Sequence, residues 1–318
     1  MTSIAVVVPT HNRSELLALT LRSILAQRGV DLTVTVVDDG SSDAEAVATV
    51  VESLSDARLR LIRIDTPGGV SAARNLGIRG TSSEWLALCD DDDVWAPEKL
   101  HDQLAAATAQ SAAWAYAGDV GIDNELHVLN GEPPLPPSEL VAALQQWNPV
   151  PAGSSNVFIR RDALDAIGIF DPSLRSVADW DLWVRLGRYG VPAWVPRPLV
   201  GCRVHRHTIT RNRQLMLKEV QLVAARHDLP VDLARHFRWA AWNAMLEGQR
   251  LEALRHYLAA VRQGDVLSIA RCGFALLDPR IAERRSQQPA TPWACEAQGW
   301  LDQLRGISAD NLGRHSHP

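Results

Sequence analysis

Apolar and polar positions follow two alternating periods along the first third of the chain. Residues 4–8, 33–37, 59–64, 85–89 and 114–118 are short, mostly apolar runs rich in branched side chains. Runs of that length, bounded by turn residues, predict buried β-strands. Between them the spacing lengthens to that of helices. Leu17, Leu21, Ile24 and Leu25 form one stripe, and Asn12 followed by Glu15 has the form of a capping box. Residues 43–53, 71–78 and 97–109 predict three more helices, the last with Pro97 in its first turn. Strands alternating with helices predict an α/β fold with a mainly parallel sheet and helices on both faces.

Six prolines between residues 130 and 151 interrupt the pattern and read as a surface excursion. Residues 161–167 and 180–189 read as short helices. After about Asn212 strand signals stop, and residues 215–227, 233–247, 251–262 and 266–277 are helical. Ala253, Tyr257 and Ala260 have the spacing of one tetratricopeptide-type hairpin, and a single copy cannot build a repeat array. The expected organisation is an α/β domain over 1–212, a helical region over 213–285 and a weakly structured tail over 286–318.

Composition narrows the class. With 318 residues and 46% hydrophobic content the chain can bury one large core or two modest ones. A charged fraction of 22% argues against wholesale disorder. The net charge of −5, with Lys and Arg spread along the chain, excludes a basic nucleic-acid footprint. The four cysteines lack CxxC spacing, so zinc is not indicated, and Cys89 reads as a small core residue. The start lacks a signal-peptide pattern, and no apolar run approaches the roughly 20 residues of a membrane span. A cytoplasmic protein is expected, with peripheral contact at the inner face of a membrane left open.

Carboxylates collect where strands end. Asp38 and Asp39 follow the second run, and Asp90, Asp91, Asp92 and Asp93 follow the fourth. Parallel sheets bind ligands beyond the carboxyl ends of their strands. Four adjacent carboxylates repel one another unless a cation neutralises them, and carboxylates at i and i+2 suit a hard divalent ion. The plainer reading is a solvated acidic turn capping the next helix. It is weakened by Val94-Trp95, which return to the core. Asp39 could accept from ribose hydroxyls or a base N–H, or Asp38-Asp39-Gly40 could be a simple Asx turn. Gly68-Gly69 ahead of Arg74 permits close approach of a nucleotide, or is only a helix entry. Asp179 opens an amphipathic helix, where it could be a cap or a general base. His205 could complete a metal shell, and Arg203 and Arg206 could compensate diphosphate charge. An exposed histidine among arginines is the blander alternative.

Taken in order, Val6 to Arg13, Val37 to Asp43, Gly69 to Asn75, Asp90 to Trp95 and Asp179 to Arg185 resemble family 2 glycosyltransferases of the GT-A fold. The resemblance covers residues 3–211. It implies that Asp39 binds the nucleoside, with Pro9, Thr10 and Arg13 in the loop around the base. Arg74 is implied as the donor-binding arginine. Asp90-x-Asp92 resembles the DxD motif that holds Mn2+ or Mg2+, with Asp91 also on the donor side. Asp92 is the better candidate for direct coordination, and Asp90 for the ribose or a metal-bound water. Asp179 resembles the aspartate of the ED motif, the catalytic base, and His205 a histidine of the later loop. Two positions depart from the family pattern: His11 stands where many members have tyrosine, and Ala178 where the fullest motif has glutamate.

The resemblance implies an inverting, metal-dependent transfer from a nucleotide sugar to an acceptor hydroxyl. A UDP-sugar is the favoured donor, with GDP- and dTDP-sugars as alternatives. Glycan, lipid-linked and small-molecule acceptors remain open. A non-catalytic nucleotide-sugar or glycan binder, or a scaffold using the helical region, is the competing reading. A nicotinamide dehydrogenase is excluded, since no GxGxxG follows the first strand.

Overall fold

The computed structural model describes residues 2–204, 212–277 and 291–312. His205, Arg206, residues 278–285 of the expected helical region and residues 286–290 and 313–318 of the expected tail lie outside the described residues. Residues 2–144, 148–204 and 291–312 form one compact unit, and residues 145–147 and 212–277 a second.

The first unit is built on a nine-stranded sheet. Strands β1 (Ser3–Thr10), β2 (Asp31–Asp39), β3 (Leu59–Ile64) and β4 (Trp85–Leu88) run parallel in the order β3-β2-β1-β4. β1 lies between two neighbours and under helices, which is why Ile4–Val8 is unbroken apolar sequence and is buried throughout. Helices α1 (Ser14–Leu25), α2 (Ala44–Ser53), α3 (Val70–Arg79) and α4 (Lys99–Ala109) follow the expected segments, except that α4 begins at Lys99 with Glu98 as its N-cap, so Pro97 precedes the helix instead of standing in its first turn. Leu17, Leu21 and Ile24 enter the same core cluster as Val6, Val8 and Val36. Gly77 allows α3 to lie against the sheet, because a Cβ there would sit 2.3 Å from Val7 Cγ1.

The expected capping box does not form. Arg13 is the N-cap of α1 and makes no side-chain capping bond. Asn12 sits in the left-handed region (φ 55°), and its Oδ1 accepts from Ser42 N–H at 2.7 Å. The carboxylate of Asp43 serves the helix end instead, accepting from Ser14 N–H at 3.2 Å and from its hydroxyl at 2.7 Å. A tertiary contact thus replaces the local one.

Beyond the parallel half the sheet becomes mixed. Strands β5 (Val94–Trp95), β6 (Trp114–Ile122), β7 (Val128–Asn130), β8 (Phe158–Arg160) and β9 (Ala193–Arg203) complete it. β8 lies antiparallel between β4 and β6, β9 runs parallel to β6, and β5 and β7 pair antiparallel with β9 and β6. Of these only β6 is evident from periodicity. β5, β7 and β8 have two or three residues, and β9 carries Pro196 and Pro198 beside register shifts in its pairing with β6. Helices α5 (Pro137–Ala143), α6 (Arg161–Ile167) and α7 (Ala178–Tyr189) lie in the same unit. The proline-rich excursion is anchored there by the buried Leu140 and Leu144.

The second unit contains α8 (Arg213–His227), α9 (Leu233–Leu246), α10 (Arg250–Arg262) and α11 (Ser268–Leu277). Ala241, Ala244, Met245, Ala253 and Tyr257 form its core, so the small-aromatic-small spacing does mark a packed helix pair. The expectation of a weakly structured C-terminal tail needs correction. Residues 292–312 form a helix, α12 (Pro292–Leu312), whose Ala297, Trp300, Leu301 and Leu304 join a core cluster with Val94, Val120 and Leu199. The indole of Trp300 donates to Pro198 C=O at 2.9 Å and that of Trp293 to Asp119 C=O at 2.9 Å. These anchors place the helix in the sheet-bearing unit.

Candidate active site

β1, β2 and β4 end on one edge of the sheet. There Thr10 is in register with Asp38, and the chain beyond β4 turns through the four aspartates. Asp38 is buried and closes its own turn, accepting from Ser41 N–H at 3.0 Å across Gly40, whose φ is 68°. Asp39 does more. Its two carboxylate oxygens accept from Gly68 N–H and Gly69 N–H, each at 2.7 Å. Charge-assisted bonds of this kind fix a glycine loop that sequence alone leaves floppy. His11, at the position where the family favours tyrosine, bonds through Nδ1 to Asp39 C=O at 2.8 Å.

The four aspartates have four different settings. Asp90 is paired with Arg74 from α3, and its backbone N–H donates to Ser155 Oγ at 2.9 Å. Asp91 is buried and accepts from Thr10 Oγ1 at 2.8 Å and from Arg13 at 3.2 Å. Burial, and then the neighbouring charge of Asp92, push its carboxyl up to about 6. Asp92 accepts from Arg13 at 2.7 Å. Asp93 accepts from Arg203 N–H at 3.0 Å, and burial together with Asp92 and Asp90 holds its carboxyl well above the usual range. Pro9 precedes Thr10 at the end of β1, and Thr10 and Arg13 share hydrogen bonds with the acidic turn.

Arg203 has a different job from the one its sequence suggests. It is buried, donating through Nε to Asp92 C=O at 3.0 Å and through Nη1 to the carbonyls of Asp123 and Asn124 at 3.2 Å. Its guanidinium holds the acidic turn by the backbone and is committed there, which removes it as a phosphate partner.

Asp179 lies in the first turn of α7. Oδ1 accepts from Trp180 N–H at 2.8 Å and Oδ2 from Asn148 Nδ2 at 3.0 Å. Burial pushes its carboxyl up, the Arg74 charge opposes that shift, and the Asp90 charge adds to it. The Arg74–Asp90 pair is therefore close enough to be felt at Asp179. Helix α3 explains the approach. Ser71 Oγ donates to Leu174 C=O at 3.1 Å, and Asn75 exchanges two bonds with the Phe170 backbone at 2.8 and 3.0 Å. The Arg74 guanidinium lies 5.2 Å from the Phe170 ring centroid. From the other side, a Cβ on Gly153 would come 3.1 Å from Asp179 Oδ2. Two residues further on, Ser155 binds Asp90 N–H and accepts from the Trp95 indole through its carbonyl at 2.8 Å.

Asn148 and Ser155 were not evident from sequence. The only signal was the small polar run Gly153-Ser154-Ser155-Asn156 ahead of a strand. The oxygen-only donor set of Asp90 and Asp92, in a turn of four adjacent carboxylates, fits a hard divalent cation. Among the described residues, the one group of three potential ligands within 4.8 Å is Asp123, Glu125 and His127, at the β6–β7 turn. Asp90 and Asp92 are not in it.

The glycosyl transferase family 2 pattern matches residues 5–168, just over half of the chain, and the chain belongs to that family. It is a glycosyltransferase. Among curated relatives, the succinoglycan biosynthesis protein ExoO of Rhizobium meliloti is 36% identical over 37% of this chain and 32% of its own length. The chain thus matches about a third of that relative. The putative colanic acid biosynthesis glycosyl transferase WcaA of Escherichia coli is 29% identical over 59% of this chain and 68% of its own. Among solved structures, S. aureus TarS 1–349 in complex with UDP-GlcNAc superposes with a TM-score of 0.58 at 17% identity, covering 100% of this chain and 93% of that one. The mannosyltransferase PcManGT of Pyrobaculum calidifontis, in complex with GDP-Man and Mn2+, gives 0.56 at 18% identity, covering 96% and 86%. At these identities the structures speak for the fold.

Proposed function

We propose that the chain moves a sugar from a nucleotide sugar to an acceptor hydroxyl, with inversion at the anomeric carbon, in polysaccharide or glycoconjugate synthesis. One observation carries the reading. Contacts run unbroken from Asp39 through the Gly68–Gly69 amides and α3 to Arg74, Asp90 and the segment that holds Asp179. Relatives named for succinoglycan and colanic acid biosynthesis support the product class. A UDP-sugar is the favoured donor, in line with TarS bound to UDP and UDP-GlcNAc, while the GDP-Man complex of PcManGT keeps GDP-sugars in play. The acceptor is a glycan, a lipid-linked precursor or a small molecule, and the enzyme works in the cytoplasm at or near the inner membrane face.

In this reading Asp39 keeps accepting capacity for the nucleoside, since two bonds leave about half of a carboxylate's lone pairs unused. Pro9, Thr10 and Arg13 border the base. Asp90 and Asp92, with His205 as a further candidate, hold Mn2+ or Mg2+, which when bound supplies positive charge beside the departing diphosphate. Arg74 and Arg13 exchange their aspartate partners for phosphate oxygens. Asp179 accepts the proton of the acceptor hydroxyl, whose oxygen bonds the anomeric carbon as the bond to the diphosphate breaks on the opposite face. No enzyme nucleophile is required.

A thermal-shift panel of UDP, GDP and dTDP with and without Mn2+ tests the donor side. One nucleotide should raise the melting temperature in a metal-dependent way. Asp92→Ala should abolish that dependence. If no nucleotide shifts the protein with either Mn2+ or Mg2+, the donor assignment falls.

A further inference from the structure

We infer that α10 and the turn after it form a surface that docks on an anionic lipid membrane. The inward face of α10 is accounted for: Ala253, Tyr257 and Ala260 are buried at helical spacing. Its opposite face is unusual. Leu251, Arg255, Leu258 and Arg262 fall at i, i+4, i+7 and i+11, which places them on one stripe. All four are exposed. Val266, Leu267 and Ile269 follow directly. Leu251 and these three are between 61% and 72% exposed. Scattered surface leucines need no explanation, but a run of apolar side chains interleaved with arginines does.

The charges on this stripe are unbalanced. Neither Arg255 nor Arg262 has an ion-pair partner among the described residues, nor does Arg250 at the start of the helix. The nearby acids are already engaged: Glu252 pairs with Arg213, and Asp265 with Arg238 and Arg271. The sequence asymmetry points the same way. Residues 207–289 carry 13 Lys and Arg against eight Asp and Glu, a net of +5 within a chain whose net charge is −5.

A lipid surface matches both features. Apolar side chains enter between headgroups, and arginines bury their stems while meeting lipid phosphates. A second copy of the chain matches less well. A two-fold axis parallel to the helix would set Arg255 and Arg262 against their own images, and one perpendicular to it would set Arg255 against Leu258 and Arg262 against Leu251, so either arrangement leaves the arginines without anionic partners. The inference does not depend on the sugar-transfer reading, because the surface contains no residue of the candidate active site.

Sedimentation of the full chain with vesicles tests it. Phosphatidylcholine vesicles containing phosphatidylglycerol should carry the protein down, whereas pure phosphatidylcholine should not, and added salt should weaken binding. At about 1 kcal/mol per basic residue near an anionic surface, Arg255→Gln with Arg262→Gln should reduce affinity roughly thirtyfold. Leu251→Ser with Leu258→Ser should also release the protein. All four positions are exposed, so circular dichroism and melting temperature should stay at wild-type values and separate lost docking from misfolding. Failure to sediment with anionic vesicles overturns the inference, as does unchanged binding by the arginine variant. It is also overturned if light scattering finds a dimer that the leucine variant dissolves, since a second copy then covers the surface.

Discussion

Replacing Asp179 by Asn separates chemistry from architecture more cleanly than any other change at this site. The amide has the shape of the carboxylate. Its Oδ1 can still accept the Trp180 N–H that now lies at 2.8 Å. The Oδ2 position becomes an NH2 group facing the Asn148 NH2 at the present 3.0 Å, donor against donor. Rotating the Asn148 amide relieves this but gives up the bond from Val150 N–H to Asn148 Oδ1, now 3.2 Å. One such bond is worth about 1 kcal/mol. Removing a carboxylate that burial and Asp90 both disfavour offsets part of that, so stability should change by about 1 kcal/mol or less. The reaction should change far more. Loss of a general base costs roughly 10²- to 10⁴-fold, or about 3–5 kcal/mol of barrier.

The assay is release of nucleoside diphosphate in the presence of acceptor, set beside donor affinity from thermal shift. Donor affinity should hold while turnover collapses. The wild-type pH profile supplies a second reading. A base must be ionised to act, and burial raises the Asp179 carboxyl. Activity should therefore fall with acid at a pH above the range of an exposed aspartate, and Asp179→Asn should lack that limb. Turnover at the wild-type rate, or a loss of donor affinity as large as the loss of turnover, would refute the assignment.

Two further outcomes test the scaffold. Lys99 is fully buried, donating to Gln103 Oε1 at 2.8 Å over the Trp95 ring, and burial lowers its ammonium to about 7. The unfolded lysine titrates near 10.4, so the unfolded chain binds more protons between those values and stability should rise with pH there. The gain is roughly 2 kcal/mol from pH 7 to 9. Chemical denaturation of Lys99→Met should lack this rise, and parallel curves for the two proteins would rule out a neutralised lysine. Asp39→Ala removes the acceptor from both glycine amides, two charge-assisted bonds of about 1.5–3 kcal/mol each before water replaces them. Nucleotide-induced stabilisation should fall sharply in that variant. If it is unchanged, the loop does not position the donor.

What the sequence discloses here follows from where the physical constraint is local. β1 and β4 are buried on both faces, so their apolar runs are continuous, and the aspartates that follow stand out by contrast. Residues 4–10 and 85–93 could therefore be read directly. β8 and β9 could not, because three residues carry no period and Pro196 and Pro198 look like loop. Asn148 reaches Asp179 across 31 positions with no periodic signal. Arg203 carries the charge of a phosphate ligand but is consumed by backbone carbonyls, which only the fold reveals. The capping box failed for the same reason: Asn12 found better partners in Ser41 and Ser42 than in its own helix. The last helix is another kind of miss. Trp293, Ala297, Trp300, Leu301 and Leu304 do have helical spacing, and the pattern was there to be read.

The acidic turn also raises the question of how four adjacent carboxylates fold at all without a cation. Two arginines answer for three of them: Arg74 meets Asp90, and Arg13 spans Asp91 and Asp92. The fourth, Asp93, accepts from the Arg203 N–H and the Ser155 hydroxyl, with its carboxyl shifted toward the neutral form. Buried charge left uncompensated is costly, so the pairing of Arg13 with the buried Asp91 and Asp92 stabilises the turn, while the more exposed Asp90 depends less on its partner. The cations doing the compensating come from α3 and from the loop after β1. Those are the elements that the Gly68–Gly69 clamp and Thr10 tie to the rim. The resting protein thus holds its arginines and aspartates against each other. On the proposed donor reading, a ligand bringing a diphosphate and a divalent ion would offer each a new partner of opposite sign. An acidic turn that merely caps a helix would make no such exchange, so binding of a nucleoside diphosphate that depends on the divalent ion separates the proposed donor site from that plainer reading.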